Sequence, residues 1–325
     1  MNALIRMVVP LTGIALVSFC LLFSSCTSSG SKGGPTHTIS LFEHLVQQDI
    51  QTVELEMDFR YLKETEADDY QPASLRWQDG DGTVDIPLLT KPRGKTRREM
   101  CEFPPIKLKL DTTLVIQGQL IEPGKYKLVT HCSQDAGGEE LLLREQVAYN
   151  IFDALTEKGF RTKLLRVTYK DLQGQELPGT HWAILLENTN DLERRLKVQE
   201  LADEAPLKQV SADDYNLFVL YQFMIGNTDW NLNNRHNVKL FLGQNGLPYP
   251  VPYDFDYSGL VNASYAKPYP TMPIESVRDR FLQWRGKNRE LLEPSIELLK
   301  SKREAVLASC DLMKKSYPGA WQDMV

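Results

Sequence analysis

The sequence predicts an α+β fold in two parts, β-rich first and helical second. Three observations carry this. Between residues 53 and 129 apolar and polar residues alternate in short runs broken by Gly and Pro, the period of half-buried strands. From 139 the apolar residues shift to helical spacing. From about 274 to the end the chain is charged and again reads as helix.

The elements follow in order. Leu41 to Gln48 is a short entry helix. Val53, Leu55, Met57 and Phe59 alternate with Glu54, Glu56 and Asp58 as a strand. Residues 79–83, DGDGT, form a turn. Leu108 to Val129 holds further strands interrupted at Gly118 and at Pro123-Gly124. Residues 139–158 begin with acids, place Leu142, Val147, Ile151, Phe152 and Leu155 on one helical face, and stop at Lys158-Gly159. Thr162 to Tyr169 and His181 to Leu186 are two strands. Helical patterns cover about 191–203 and 212–225. Val238 to Leu242 and Tyr249 to Val251 make a hairpin around Gln244-Asn245-Gly246.

The first 25 residues belong to export rather than fold. Arg6 precedes an apolar run from Met7 to Leu22, and Phe23-Ser24-Ser25-Cys26 has the form of a bacterial lipobox. Cys26 is the expected lipidation site, and 26–38 a flexible tether rich in Ser and Gly. No second apolar run is long enough to span a bilayer. The expected location is the cell envelope, lipid-anchored. Thr27 and Ser28 carry no acidic signal after Cys26, which points to the outer rather than the inner membrane. The divisions are then 1–25 leader, 26–38 tether, 39–188 the β-rich part with one helix, and 189–325 the helical part. A formal charge of −6 and the absence of a long basic block exclude nucleic acid as the main partner. Export permits a disulfide. Of Cys101, Cys132 and Cys310, the first two share the β-rich half and are the better pair.

Chemistry concentrates in 226–259. GNTDWNLNNRHNVKLF places Asp229 in a loop after an apolar helix and Asn237 at the mouth of a strand. The returning strand ends at Asp254, so a hairpin sets Asn237 beside Asp254. An Asp to orient or deprotonate a nucleophile, with an Asn and a later Asp to hold a metal-bound nucleotide, is the kit of phosphoryl transfer. A five-residue spacing from the base selects Asn234 instead of Asn237. Two rival readings stand beside this one. Asp229, Asn231 and Asn233 open a calcium loop, but position six is Asn234 and position twelve Leu240, so the loop is incomplete. The same residues can also form a polar turn held by Asx hydrogen bonds. His236 can bond a carboxylate within the loop, and it has no second His at zinc-ligand spacing.

Four further positions could serve such a site. Lys127, on a strand in KYKLVTH, can meet phosphates, with Glu145 of the next helix holding it. Glu187 ends an apolar strand before a charged helix, where a connecting segment would contact a nucleotide base. Its alternative is a strand end followed by a helix capped by Asn188 or Asn190. Arg93 opens RGKTRR, a basic turn able to cradle phosphate. No Walker A and no GxGxxG loop is present.

These pieces resemble the CotH-type atypical protein kinases and, more distantly, HipA-like kinases. The matching stretches are RGKTRR (93–98), YKLVTH (126–131), LLREQVAYNIFDAL (142–155), AILLEN (183–188), GNTDW…RHN (226–237) and PYDFD (252–256). The resemblance implies a two-lobed, protein-kinase-like fold with a β-rich N-lobe and a helical C-lobe. It implies ATP or another nucleotide with Mg²⁺ or Mn²⁺, and a hydroxyl acceptor on a protein or a small molecule. Asp229 would be the base, Asn237 and Asp254 metal ligands, Lys127 a phosphate contact and Glu145 its partner. RGKTRR departs from the family's Arg-Gly-Asn-Ser. Because an exported protein meets little ATP, a catalytically inactive kinase-like scaffold that binds a partner is the alternative.

Overall fold

The computed structural model describes residues 38–324, apart from 64–67, 81, 134–135, 175–176, 178, 203–208 and 287. The expected leader, Cys26 and nearly all of the tether lie outside these residues. The chain begins with β1 (Thr38–Ile39), α1 (Leu41–Gln47), β2 (Thr52–Met57), α2 (Phe59–Lys63), β3 (Gln71–Asp79) and β4 (Gly82–Pro92). Next come α3 (Lys95–Met100), β5 (Ile106–Leu110), β6 (Leu114–Ile116), β7 (Gln119–Ile121), β8 (Gly124–Val129) and α4 (Ala136–Leu155). Then follow β9 (Thr162–Asp171), β10 (Thr180–Leu186), α5 (Thr189–Leu196), β11 (Gln199–Glu200), α6 (Ala212–Met224), β12 (Val238–Leu242) and β13 (Pro248–Pro252). A 3₁₀ turn (Arg289–Leu292) leads into α7 (Glu293–Ser301), α8 (Arg303–Ser309), α9 (Asp311–Ser316) and α10 (Pro318–Met324).

Local patterning explains most of these elements. In β2 the buried residues are Val53, Leu55 and Met57, and the intervening acids stay at the surface. Ser40 caps α1 by accepting the Glu43 N–H at 3.0 Å. Asn188 caps α5 by accepting the Asp191 N–H at 2.9 Å. Cys101 and Cys132 form the expected disulfide, tying the chain after α3 to the chain after β8, while Cys310 is free and buried.

The overall architecture differs from the expected one. The strands expected to build a β-rich N-lobe close into a seven-stranded barrel of order β10-β8-β5-β4-β3-β2-β9, with β9 pairing back to β10. Closure comes from a parallel pairing of β2 with β9, in which Val53 faces Val167 and Leu55 faces Tyr169. Every other barrel neighbour is antiparallel. Nor is the second part a helical lobe. It carries its own sheet, β11-β12-β13, and Pro35–Val325 group as one compact unit. The β-rich barrel therefore replaces the two-lobed kinase-like fold. The helix expected from about 274 begins only at Arg289. The reason is tertiary: 277–280 cross two glycines at backbone distance. A Cβ on Gly259 would lie 2.3 Å from Val277 O, and one on Gly226, whose φ is +65°, would lie 3.1 Å from the same oxygen. A chain pressed that closely against other backbone follows its contacts rather than its helical period.

Two large apolar cores result, with a small third one of Phe218, Val219, Trp230 and Val238. One fills the barrel, with Phe42, Leu55, Met57, Phe103 and Tyr126 fully buried. The other joins α4, α6 and the β12–β13 hairpin around Phe152, Tyr221, Phe241 and Phe255. No described helix is long and apolar enough to cross a membrane.

Candidate functional site

The loop after α6 is built around Asp229. Asn231 and His236 exchange backbone hydrogen bonds, each 3.0 Å, which folds the loop back on itself. His236 Nε2 then lies 2.9 Å from Asp229 Oδ1, the contact expected from the sequence. Tyr269 Oη donates to the same oxygen at 2.7 Å. Asn237 Nδ2 donates to Asp229 Oδ2 and to the Asp229 carbonyl, both at 2.9 Å. The Asp229 carboxylate is thus held by three side chains, yet one of its roughly four lone-pair sites stays open.

The hairpin performs the juxtaposition expected of it. The Tyr253 N–H donates to Asn237 O at 3.2 Å, so Asp254 sits next to Asn237. Asn237 (φ +51°) and Asp254 (φ +64°) both adopt the left-handed conformation, as does Arg235 (φ +57°). Asn and Asp tolerate this region better than other side chains, but three such residues around one hairpin still store strain. The Asp254 N–H donates to Tyr149 Oη at 2.9 Å, which fixes the loop against α4.

Cations from the barrel meet this loop. Arg93 Nη2 lies 3.4 Å from Asp254 Oδ2, and the Asp254 side chain keeps 27% of its surface exposed. Lys127 Nζ sits 4.0 Å above the Tyr253 ring. Burial, reinforced by Arg93, lowers the Lys127 ammonium to about 7, against the opposing pull of Asp254. Burial pushes the Asp254 carboxyl up, but Arg93, Arg97 and Lys127 outweigh it and hold the group below its ordinary value.

Behind them lies a residue that sequence reasoning missed. Arg97 donates from Nη2 to Glu145 Oε2 at 2.7 Å and from Nε to Asp256 Oδ2 at 2.9 Å. Tyr265 Oη donates to the same Asp256 oxygen at 3.1 Å. Glu145 therefore meets Arg97 and not Lys127, its expected partner. One guanidinium serves two buried carboxylates, so the trio carries a surplus negative charge. Burial raises Glu145 to about 7 and raises Asp256 as well, with Arg97 opposing in both cases. The Glu145 Oε1 atom is buried with no hydrogen-bond partner among the described residues, which is a place for a proton.

This has a pH consequence. Between the ordinary Glu pKa and about 7, the folded state holds a proton that the unfolded chain releases. Stability from this group is full below the window and falls as pH rises through it. Glu145→Gln cannot ionise. Relative to wild type it should gain roughly 1–3 kcal/mol between pH 5 and pH 8, read from urea midpoints. A constant difference across that range would mean that Glu145 is ionised throughout.

Two expected positions lie elsewhere. Glu187 is fully buried, and its oxygens accept from Arg161 N and Nε at 3.0 and 2.8 Å and from Arg195 Nε and Nη2 at 3.0 and 2.8 Å. It joins β9, β10 and α5 and has no lone pair aimed at a ligand base. Asn234 is exposed, its Oδ1 accepting the His236 N–H at 3.2 Å. The Asn231 side chain accepts from the Asn233 and Asn234 N–H groups at 2.8 and 3.4 Å, an Asx turn. Those bonds commit an oxygen that a calcium loop would need.

Among the described residues no group of three or more His, Cys, Asp or Glu side chains is arranged to hold a metal ion. Compared with models of known protein families and with curated proteins, the chain finds no match.

Proposed function

We propose that this site binds the phosphates of a metal-bound nucleotide and transfers a phosphoryl group to a hydroxyl. The observation that carries the reading is the junction at Asp254. A strained, partly open carboxylate lies beside Asn237 on one side and meets Arg93 on the other, with the Asp229 loop adjoining. The reading rests on these residues and their likeness to the CotH and HipA motifs, not on a kinase fold.

The residues suit a metal carried in by the nucleotide rather than a resident one. Mg²⁺ keeps several waters and takes one or two carboxylates plus substrate phosphates. Asp254 supplies such a carboxylate, and the Asn237 Oδ1 stays available because only its Nδ2 is used toward Asp229. When bound, the ion would neutralise phosphate charge. The chain's own residues do the rest. Arg93 and Lys127 bind phosphate oxygens and exchange their internal partners, Asp254 and the Tyr253 ring, for the ligand. Asp229, fixed by His236, Tyr269 and Asn237, orients the acceptor hydroxyl and takes its proton through the open lone pair. The acceptor oxygen bonds to the terminal phosphorus as the bond to the bridging oxygen breaks, and the nucleoside diphosphate leaves.

Thermal melting with ATP and Mg²⁺ or Mn²⁺ tests the binding half. Wild type should melt higher only when nucleotide and metal are both present, and Asp254→Ala should lose the shift. No shift with any nucleotide–metal pair would leave a binding scaffold without catalysis as the better account. A shift with calcium alone would favour the loop's other reading.

A further inference from the structure

A cavity of about 540 Å³ lies beside the loop that carries Asp229. That is within the range of small-ligand pockets, ~300–1,000 Å³. Trp230 and Asn231, which follow Asp229 in the chain, form part of its wall, and so does Gln283. Gln283 Nε2 donates to Thr228 O at 3.1 Å, tying the far wall to the residue before Asp229.

The chemistry of the lining is selective. Among the described residues it holds two indoles, Trp230 and Trp284, and the phenol of Tyr215. It holds five side-chain amides, with Asn216, Asn231 and Gln283 among them, and one charged side chain, Arg285. Both indoles are fixed. Trp230 packs edge-on against Phe218 at 4.8 Å and donates its Nε1–H to Asn227 O at 3.2 Å. Trp284 donates its Nε1–H to Asn216 Oδ1 at 3.0 Å, and Asn216 in turn donates to Leu291 O at 2.8 Å. The chain turns closely over the Trp284 ring at Gly286, where any Cβ would stand 1.9 Å from a ring carbon.

We infer that this cavity is a carbohydrate site beside the Asp229 loop. Trp284, half-buried and held by Asn216, can stack on the C–H face of a pyranose ring at little entropic cost, while Trp230, only 9% exposed, backs the wall from the core. Asn216 is spent on Trp284 and Leu291 and the Asn231 oxygen on its Asx turn, so Asn231 Nδ2 is left as a donor to a sugar hydroxyl. The shortage of charge disfavours an acidic or basic peptide and suits a neutral polyol. Gln283 keeps its Oε1 to accept from such a hydroxyl, because only its Nε2 is engaged with Thr228. The sugar site does not rest on the phosphoryl-transfer reading of Asp229.

The test is isothermal titration of the full-length chain, in a zwitterionic detergent free of sugar, with maltopentaose, cellopentaose and N-acetylchitopentaose. At least one should bind saturably, without nucleotide. Trp284→Ala should weaken that binding by at least tenfold. Asn233→Ala, an exposed change in the same wall that keeps the fold, should weaken it several-fold. Asp254→Ala should bind sugar as wild type does, so a failed nucleotide site and a failed sugar site give different results. No saturable binding to any of the three sugars, or binding untouched by both wall variants, overturns the inference. Binding of adenosine in place of the sugars, lost in Trp284→Ala, would make the cavity a base pocket and overturn it as well.

Discussion

Asp254→Ala should lower kcat for phosphoryl transfer by at least ~10²-fold, the scale for losing a main electrostatic contributor at a reacting centre. Position and charge both enter this expectation. The carboxylate is held low by Arg93, Arg97 and Lys127, so it is ionised at working pH and available as an anionic ligand. Alanine removes the charge, leaves Arg93 without its internal partner, and places a residue poorly suited to φ +64° at the end of the hairpin. That last effect concerns folding and must be separated from chemistry. Asp254→Asn does so, because Asn keeps the shape and tolerates the left-handed region while losing the charge. Both variants should lose activity alike while Asn melts closer to wild type. If Asp254→Asn retained near-normal turnover, Asp254 would have no part in holding the metal-bound nucleotide.

The parts of this site that were legible in the sequence are the short-range ones. Asp229 with His236 and Asn237 with Asp254 follow from one loop and one hairpin, whose strands are set by local alternation and by the Asn245-Gly246 turn. The disulfide was legible too, because export allows it and two of the three cysteines fall in one half. Long-range pairing was not. Alternation in β2 says that one face is buried, and an open sheet and a closed barrel satisfy that equally. What closes the barrel is the parallel match of Thr52–Met57 with Arg166–Asp171 across more than a hundred residues. Glu187 misled for a similar reason. An acid at a strand end looks free until Arg161 and Arg195 are seen to fill it. RGKTRR reads as a basic turn, whereas Lys95–Met100 is the helix α3, and nothing local says that its Arg97 is buried. Its partners Glu145 and Asp256 stand 48 and 159 residues away.

That hidden arginine carries the largest stability prediction. Arg97→Ala should cost ~3–5 kcal/mol, the usual penalty for removing one partner of a buried ionic group. The side chain is only 10% exposed, and its acids Glu145 and Asp256 are 2% and 8% exposed, so water cannot replace the guanidinium. Against a total of ~5–15 kcal/mol, this is a sizeable share of the fold's margin. The loss should depend on pH in a definite direction. Without Arg97 both acids are pushed further above their unfolded values, so the folded state gives up more stability as pH rises past the ordinary carboxylate range. The deficit should therefore be greatest near pH 8 and shrink toward pH 5, where the acids can be protonated. Arg97→Lys, which keeps the charge but cannot reach both carboxylates as a fork, should fall between alanine and wild type. Urea midpoints at the two pH values decide the matter. A deficit that is small, or the same at both, would mean that the surrounding polar groups hold the two acids without Arg97.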